Sequence, residues 1–279
     1  MALSLRFAEE ADFSSRAVGA DLQIENECPL SNAIFRWSKR VRNALEARDG
    51  EAAVVQVETL IIGMPGGPEK FLHELTSEWT TVATLVDSVE AIQPCKLHSG
   101  SVSACVVLSK FDVNDKENFG KVFAVRVPFA LSSQASWLWV NALNRHLNAR
   151  ETFCLDSQTT SAVYDNPHDS SVNSEPYPLL RMLATSSVAG DAAVAVMYPV
   201  RTLEVPRFTT GIPAALLTMG EVKNQRVRVL LTICEFTTVV SEIVRSLVPL
   251  CELLALDRPL FFRPNGAELD NDDFNGLYT

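Results

Sequence analysis

The chain of 279 residues predicts an α/β fold: a three-layer sandwich with a mostly parallel central sheet flanked by helices, followed by a flexible C-terminal tail. Three observations carry this. Residues 54–62, 101–108, 122–127 and 227–236 read as strands, 54–62 rich in β-branched residues and 227–236 with a nearly continuous apolar core, as expected of a sheet covered on both faces. Helical patterns alternate with these strings, which is the order of an α/β sheet rather than of a bundle or an all-β sandwich. Residues 265–275 (NGAELDNDDFN) are acidic and turn-rich, and they separate the last packed segment from a terminal Gly276-Leu277-Tyr278-Thr279.

Composition agrees with a globular protein. Hydrophobic residues are 47% and charged residues 21%, which excludes wholesale disorder and a coiled-coil rod. Thirty-four acidic against twenty-four basic residues give a formal net charge of −10, poorly suited to gripping nucleic-acid phosphate. Glu9 and Glu10 arrive too early for the apolar core of a signal peptide, and no string approaches the ~18 apolar residues of a spanning helix. The expectation is a protein without a membrane or nucleic-acid partner, cytoplasmic with the nucleus as a further compartment. Six cysteines without a CxxC pair read as small buried residues in a reducing compartment.

The elements follow in order. Residues 32–48 read as a basic amphipathic helix in an N-terminal region (1–50), with Ile34, Val41 and Leu45 near helical spacing and Arg36, Lys39, Arg40, Arg42 and Arg48 on the other faces. A solvated helix face is preferred there to an import or anion-binding patch. The α/β domain (51–264) opens with the 54–62 strand, a Gly-rich turn (63–70, GMPGGPEK) and a helix at 71–79. Next come the 101–108 strand, a polar turn at 112–120, the 122–127 strand stopped by Pro128, a helix at 134–147 and a short strand at 151–155. Residues 157–175 hold almost no apolar residues and read as a mobile inserted loop. Residues 216–218 and 227–236 read as strands, and 239–256 as a long helix kinked or split by Pro249. Residues 265–279 form the tail.

No residue set for catalysis, metal binding or cofactor binding emerges. No two of His73, His98, His146 and His168 are four residues apart, HExxH is absent, and 100–104 (GSVSA) misses GxSxG. His168 beside Asp169 is ordinary loop composition. The turn at 63–70 lacks both GK[ST] and GxGxxG, and Pro65 and Pro68 remove donors, so a structural turn is preferred to a phosphate cradle. The run Asp270-Asn271-Asp272-Asp273 lacks the later residues of a calcium loop.

Leu277-Tyr278-Thr279 matches hydrophobic–Tyr–any residue at a chain end, the HbYX motif of proteins that dock on the α-ring of the 20S proteasome. A terminal carboxylate is a compact anion for a cationic pocket, and the penultimate Tyr adds apolar area and a hydroxyl. Residues 211–218 (GIPAALLT) followed by 227–234 (VRVLLTIC) resemble the I/LPAA(V/L)L-turn-strand segment of the proteasome assembly chaperones. Residues 177–184 (YPLLRMLA) are similar to that family's PFLRAL-type helix start, and 275–279 (NGLYT) to the NIYT-like end of its first subunit. The resemblance spans about residues 54–279, with specific motifs from Tyr177 onward, and does not extend to residues 1–50 or 157–175.

That resemblance implies a non-catalytic chaperone without a cofactor. Its partners would be a second related chaperone subunit, in a heterodimer, and the 20S α subunits. The tail would enter an inter-subunit pocket with Leu277 as apolar anchor, Tyr278 as orienting aromatic and the Thr279 carboxylate as the charged group, favouring α-ring assembly and blocking premature caps. Two other readings stay open: an α/β enzyme of nucleoside-phosphorylase-like fold, and an ATP-independent proteasome regulator.

Overall fold

The structure is a computed structural model that describes residues 33–49, 54–87, 104–115, 117–131, 133–159, 177–189, 200–204, 207–254 and 256. The tail 265–279 and residues 160–175 of the expected loop lie outside the described residues, as do Cys28, Cys95, His98 and His168.

The strands are β1 (Ala33–Trp37), β2 (Val55–Gly63), β3 (Thr80–Asp87), β4 (Ala104–Ser109), β5 (Val122–Arg126), β6 (Leu147–Thr159), β7 (Leu179–Ala184), β8 (Arg201–Thr202) and β9 (Arg226–Cys234). The helices are α1 (Lys39–Asp49), α2 (Gly67–Leu75), α3 (Ser133–His146), α4 (Ser186–Ala189), α5 (Gly211–Lys223), α6 (Val240–Leu247) and α7 (Leu250–Leu253). The strands form one sheet in the order β1-β3-β4-β5-β2-β6-β9-β7-β8. Its centre, β5-β2-β6-β9, is parallel. Around that centre, the β1-β3-β4-β5 side and the β9-β7 pair are antiparallel, and β7-β8 at the far edge is parallel. The three-layer α/β class therefore holds, with a mixed sheet in which parallel pairing dominates only the middle.

Period-two alternation shows both faces covered. On β2, Leu60 and Ile62 join a cluster with Val41 and Leu45 of α1, Trp139, Val140 and Leu143 of α3, and Ile212, Leu216 and Met219 of α5. Ile61 between them joins the opposite cluster, with Phe71 and Leu72 of α2, Leu247 of α6 and Leu250 and Cys251 of α7. Four cysteines, Cys105, Cys154, Cys234 and Cys251, are free and buried as read. Burial pushes the Cys105 thiol up to about 12.

Three readings are corrected. The 32–48 helix is a strand and a helix joined at Ser38, because β1 pairs with β3 and only the second half coils. β1 and α1 belong to the same compact unit as the rest of the described chain, from Asn32 on. Residues 216–218 lie inside α5, whose Ile212, Ala215, Leu216 and Met219 recur on one buried face at helical spacing. Residues 179–184 form strand β7 against β9, not a helix start. The short strand at 151–155 runs from Leu147 to Thr159, and the 71–79 helix ends at Leu75 before β3. As expected, the long helix splits at Pro249 into α6 and α7.

Candidate functional site

The carboxyl ends of parallel strands are where α/β folds present ligand sites. Here β2 leads through the Gly-rich turn into α2. Met64 N–H donates to Leu155 O (2.9 Å), Glu69 N–H to Met64 O (2.9 Å) and Lys70 N–H to Gly66 O (3.1 Å). Gly66 takes a φ of 97°, which favours glycine. The neighbouring glycines serve packing. A Cβ at Gly63 would stand 2.7 Å from Leu72 Cδ1, and one at Gly67 would stand 2.4 Å from Ile243 Cγ2. α6 thus packs directly against the start of α2.

Polar groups do collect nearby. Arg126, at the end of β5, lies 3.8 Å from Glu69 Oε1 through its Nε and bonds His73 Nδ1 through Nη1. Asp156 on β6 is pushed up to about 6 by burial, partly offset by the Ser157 N–H that donates to its Oδ1 at 2.8 Å. Gln158 Nε2 donates to Thr209 Oγ1 at 3.4 Å, tying the approach to α5 to the end of β6. Such a carboxyl can exchange a proton near neutrality. Among the described residues, no group of three or more His, Cys, Asp or Glu is placed to hold a metal.

A cleft of about 730 Å³ opens at the other end of β2. Its lining includes Gln56, Glu58, Lys121, Asn148 and Arg150 together with Val55 and Val57. Two of these groups engage one another, Asn148 Nδ2 donating to Gln56 Oε1 (2.9 Å), and Gln225 Nε2, outside the lining, donates to Asn148 Oδ1 (3.3 Å). Sequence reasoning missed this cleft, and the only signal for it would have been the register that sets Gln56 beside Asn148.

It also missed a buried charge. Arg228 on β9 is 1% exposed, paired with Glu151 of β6 through Nη1, and its guanidinium carbon lies 5.3 Å from the centre of the Phe153 ring. Its Nε and Nη2 make no hydrogen bond, and burial lowers its pKa. Arg226 also reaches Glu151 Oε1, at 3.5 Å.

Leu277, Tyr278 and Thr279, the residues named from the sequence, lie outside the described residues. The described motifs of the resemblance sit together: α5 carries 211–218, closes at Asn224 with a left-handed φ of 52°, and leads into β9, which β7 flanks.

No protein-family model and no curated protein matches the chain. Solved structures do. A Thermoplasma acidophilum protein of unknown function matches with a TM-score of 0.54 and 12% identity, over 78% of this chain and 83% of that one. PbaB of Pyrococcus furiosus, an archaeal proteasome activator, matches with a TM-score of 0.51 and 12% identity, over 81% and 91%. PbaA of the same organism, an archaeal homologue of a proteasome-assembly chaperone, matches at 0.47 and 14%, over 74% and 84%. At these identities the likeness is one of fold.

Proposed function

We propose that the chain is a chaperone of 20S proteasome assembly, paired with a second related subunit. It would sit on the outer face of the α-ring and dock Leu277-Tyr278-Thr279 in an inter-subunit pocket. The observation that carries the reading is this terminal triplet on an acidic, turn-rich leash, at the end of a chain whose fold is shared with a proteasome activator. Leu277 would supply apolar area, Tyr278 an oriented ring and hydroxyl, and the Thr279 carboxylate the charge that a cation in the pocket captures. Occupying that pocket would exclude caps that use it, so the same contact would promote ring assembly and delay capping. The compartment would be the cytoplasm, with the nucleus as a further one.

The test is recovery of the tagged chain from its own cells, full length beside a form lacking 277–279, with mass spectrometry of bound proteins. The reading expects α subunits and a second α/β subunit with the full chain, and only the latter with the shortened one. Absence of proteasome subunits from both would overturn it. The likeness to PbaB favours a second reading, an ATP-independent regulator of the finished proteasome. Peptide hydrolysis by purified 20S particles separates the two: a regulator raises it, whereas an assembly chaperone leaves it unchanged and binds precursors lacking the β-ring.

A further inference from the structure

The two edges of the sheet are finished differently. At one edge β8 is two residues long with both exposed, a length that offers another chain little backbone to pair with. At the other edge β1 runs Ala33-Ile34-Phe35-Arg36-Trp37 against β3 without a register shift. It carries no proline, lysine or bulge, the usual guards of an open edge. Ser38 N–H donates to Val82 O at 2.7 Å, so by the antiparallel alternation Ile34 and Arg36 make the hydrogen-bonded pairs with Val86 and Thr84. Ala33, Phe35 and Trp37 therefore turn their N–H and C=O groups outward, where no strand follows among the described residues. Such a row is a template for another extended strand.

The strand is complementary to itself. A second β1 laid antiparallel about a two-fold axis at Phe35 sets Phe35 opposite the copy's Phe35, Ala33 opposite the copy's Trp37 and Ile34 opposite the copy's Arg36. Every outward N–H and C=O is then paired, and a small side chain faces a large one. Sliding the copy by two residues in either direction leaves outward groups unpaired, and one of those slides sets Arg36 against Arg36. Ala33, Phe35 and Trp37 pack on the core cluster that holds Trp139 and Leu143, so Ile34 and Arg36 lie on the opposite face of the strand. The basic residues that follow, Lys39, Arg40 and Arg42, are on α1, where Arg40 pairs with Asp112 and Arg42 with Glu46. In this register the two α1 helices start at opposite ends of the pair, about 20 Å apart along the strands and beyond the ~8 Å screening length of physiological salt.

We propose that β1 is a self-association edge: two copies of this chain pair their β1 strands antiparallel about Phe35 and continue the sheet from one molecule into the other. The pairing uses none of residues 277–279 and stands whether or not the tail docks on a proteasome.

Sedimentation velocity of the purified full chain from about 1 to 100 µM reads the dimer, and amide exchange at residue resolution reads the edge. The expected result is a dimer whose formation protects the amides of 33, 35 and 37, while those of 34 and 36, already paired with β3, change little. Charge at position 34 then gives opposite signs. Ile34→Lys faces the copy's Arg36 with a like charge and Ile34→Glu with an opposite one, so the Lys form should dissociate about tenfold more readily at comparable melting temperatures. Ala33→Pro removes an outward donor and none of the bonds to β3, at a strand start where proline is tolerated, and should also weaken the dimer about tenfold. A monomer throughout the series would overturn the proposal. So would a dimer that leaves 33, 35 and 37 unprotected, equal affinities for the two Ile34 forms, or loss of the dimer in the chain lacking 277–279.

Discussion

Gly67 shows how tightly the β2–α2 corner is packed. A methyl there would meet Ile243 Cγ2 at 2.4 Å, so Gly67→Ala must push α6 away from α2. Overpacking of this kind costs about 1–3 kcal/mol, and thermal unfolding should show a lower melting temperature. An unchanged one would mean that α6 does not close on the turn. Arg228 gives a second residue-scale test. Glu151→Ala leaves this buried guanidinium without a counter-charge, whereas Arg228→Met leaves Glu151, 26% exposed, still facing Arg226. Urea unfolding should therefore find Glu151→Ala destabilised by about 3 kcal/mol and Arg228→Met by less than about 1 kcal/mol. Equal losses would contradict the account of the pair. Neither partner was legible in the sequence, because their meeting depends on the β6–β9 register, which sets Glu151 beside Arg226 and Phe153 beside Arg228 across some seventy-five positions of chain.

At the scale of elements, β1 is fastened to α3 by aromatic contact. His146 stacks on Phe35 with ring centroids 4.5 Å apart, and Phe35 meets Trp37 edge-on at 4.9 Å. Burial, with a smaller contribution from Arg145, holds the His146 pKa below its ordinary value near 6.5. The fold thus prefers the neutral ring. The stabilisation this gives is complete above pH ~6.5 and is lost as pH falls below that value toward the lowered folded pKa. Hydrogen exchange of the β1 amides should accelerate on going from pH 7 to pH 5, after correction for intrinsic rates. His146→Phe should abolish that acceleration, and its persistence in the variant would place the pH dependence elsewhere.

Element recognition divided on the same physics. β2, β4, β5 and β9 were legible because strands covered on both faces are rich in apolar and β-branched residues, as in Leu60-Ile61-Ile62 and Val229-Leu230-Leu231. β1 was hidden because its apolar residues and those of α1 happen to join at near-helical spacing across Ser38. α5 was read as a strand from Leu216-Leu217-Thr218 alone. The spacing of Ile212, Ala215, Leu216 and Met219, with Pro213 in the first turn where it is tolerated, marks the helix. Strand β7 owes its conformation to pairing with β9, which no local pattern announces.

At the scale of the whole molecule, the parallel centre with antiparallel flanks sets two different ends to the sheet. One carries the packed Gly turn and the exposed Phe236, the other a cleft lined in part by polar residues. The fold class was legible from alternating strands and helices, while the order of the strands was not. The proposed terminal site is three consecutive residues, read without any tertiary neighbour, and lies outside the described residues. The cleft and the Arg228–Glu151 pair need the whole sheet.

The most direct test of the proposed tail docking is the affinity of the purified full chain for isolated 20S α-rings, measured beside Tyr278→Ala and the form lacking 277–279. Loss of an anchored ring and a charged contact should weaken binding about 30- to 1000-fold with the melting temperature of the body unchanged. Equal affinities for all three forms would contradict docking by the tail.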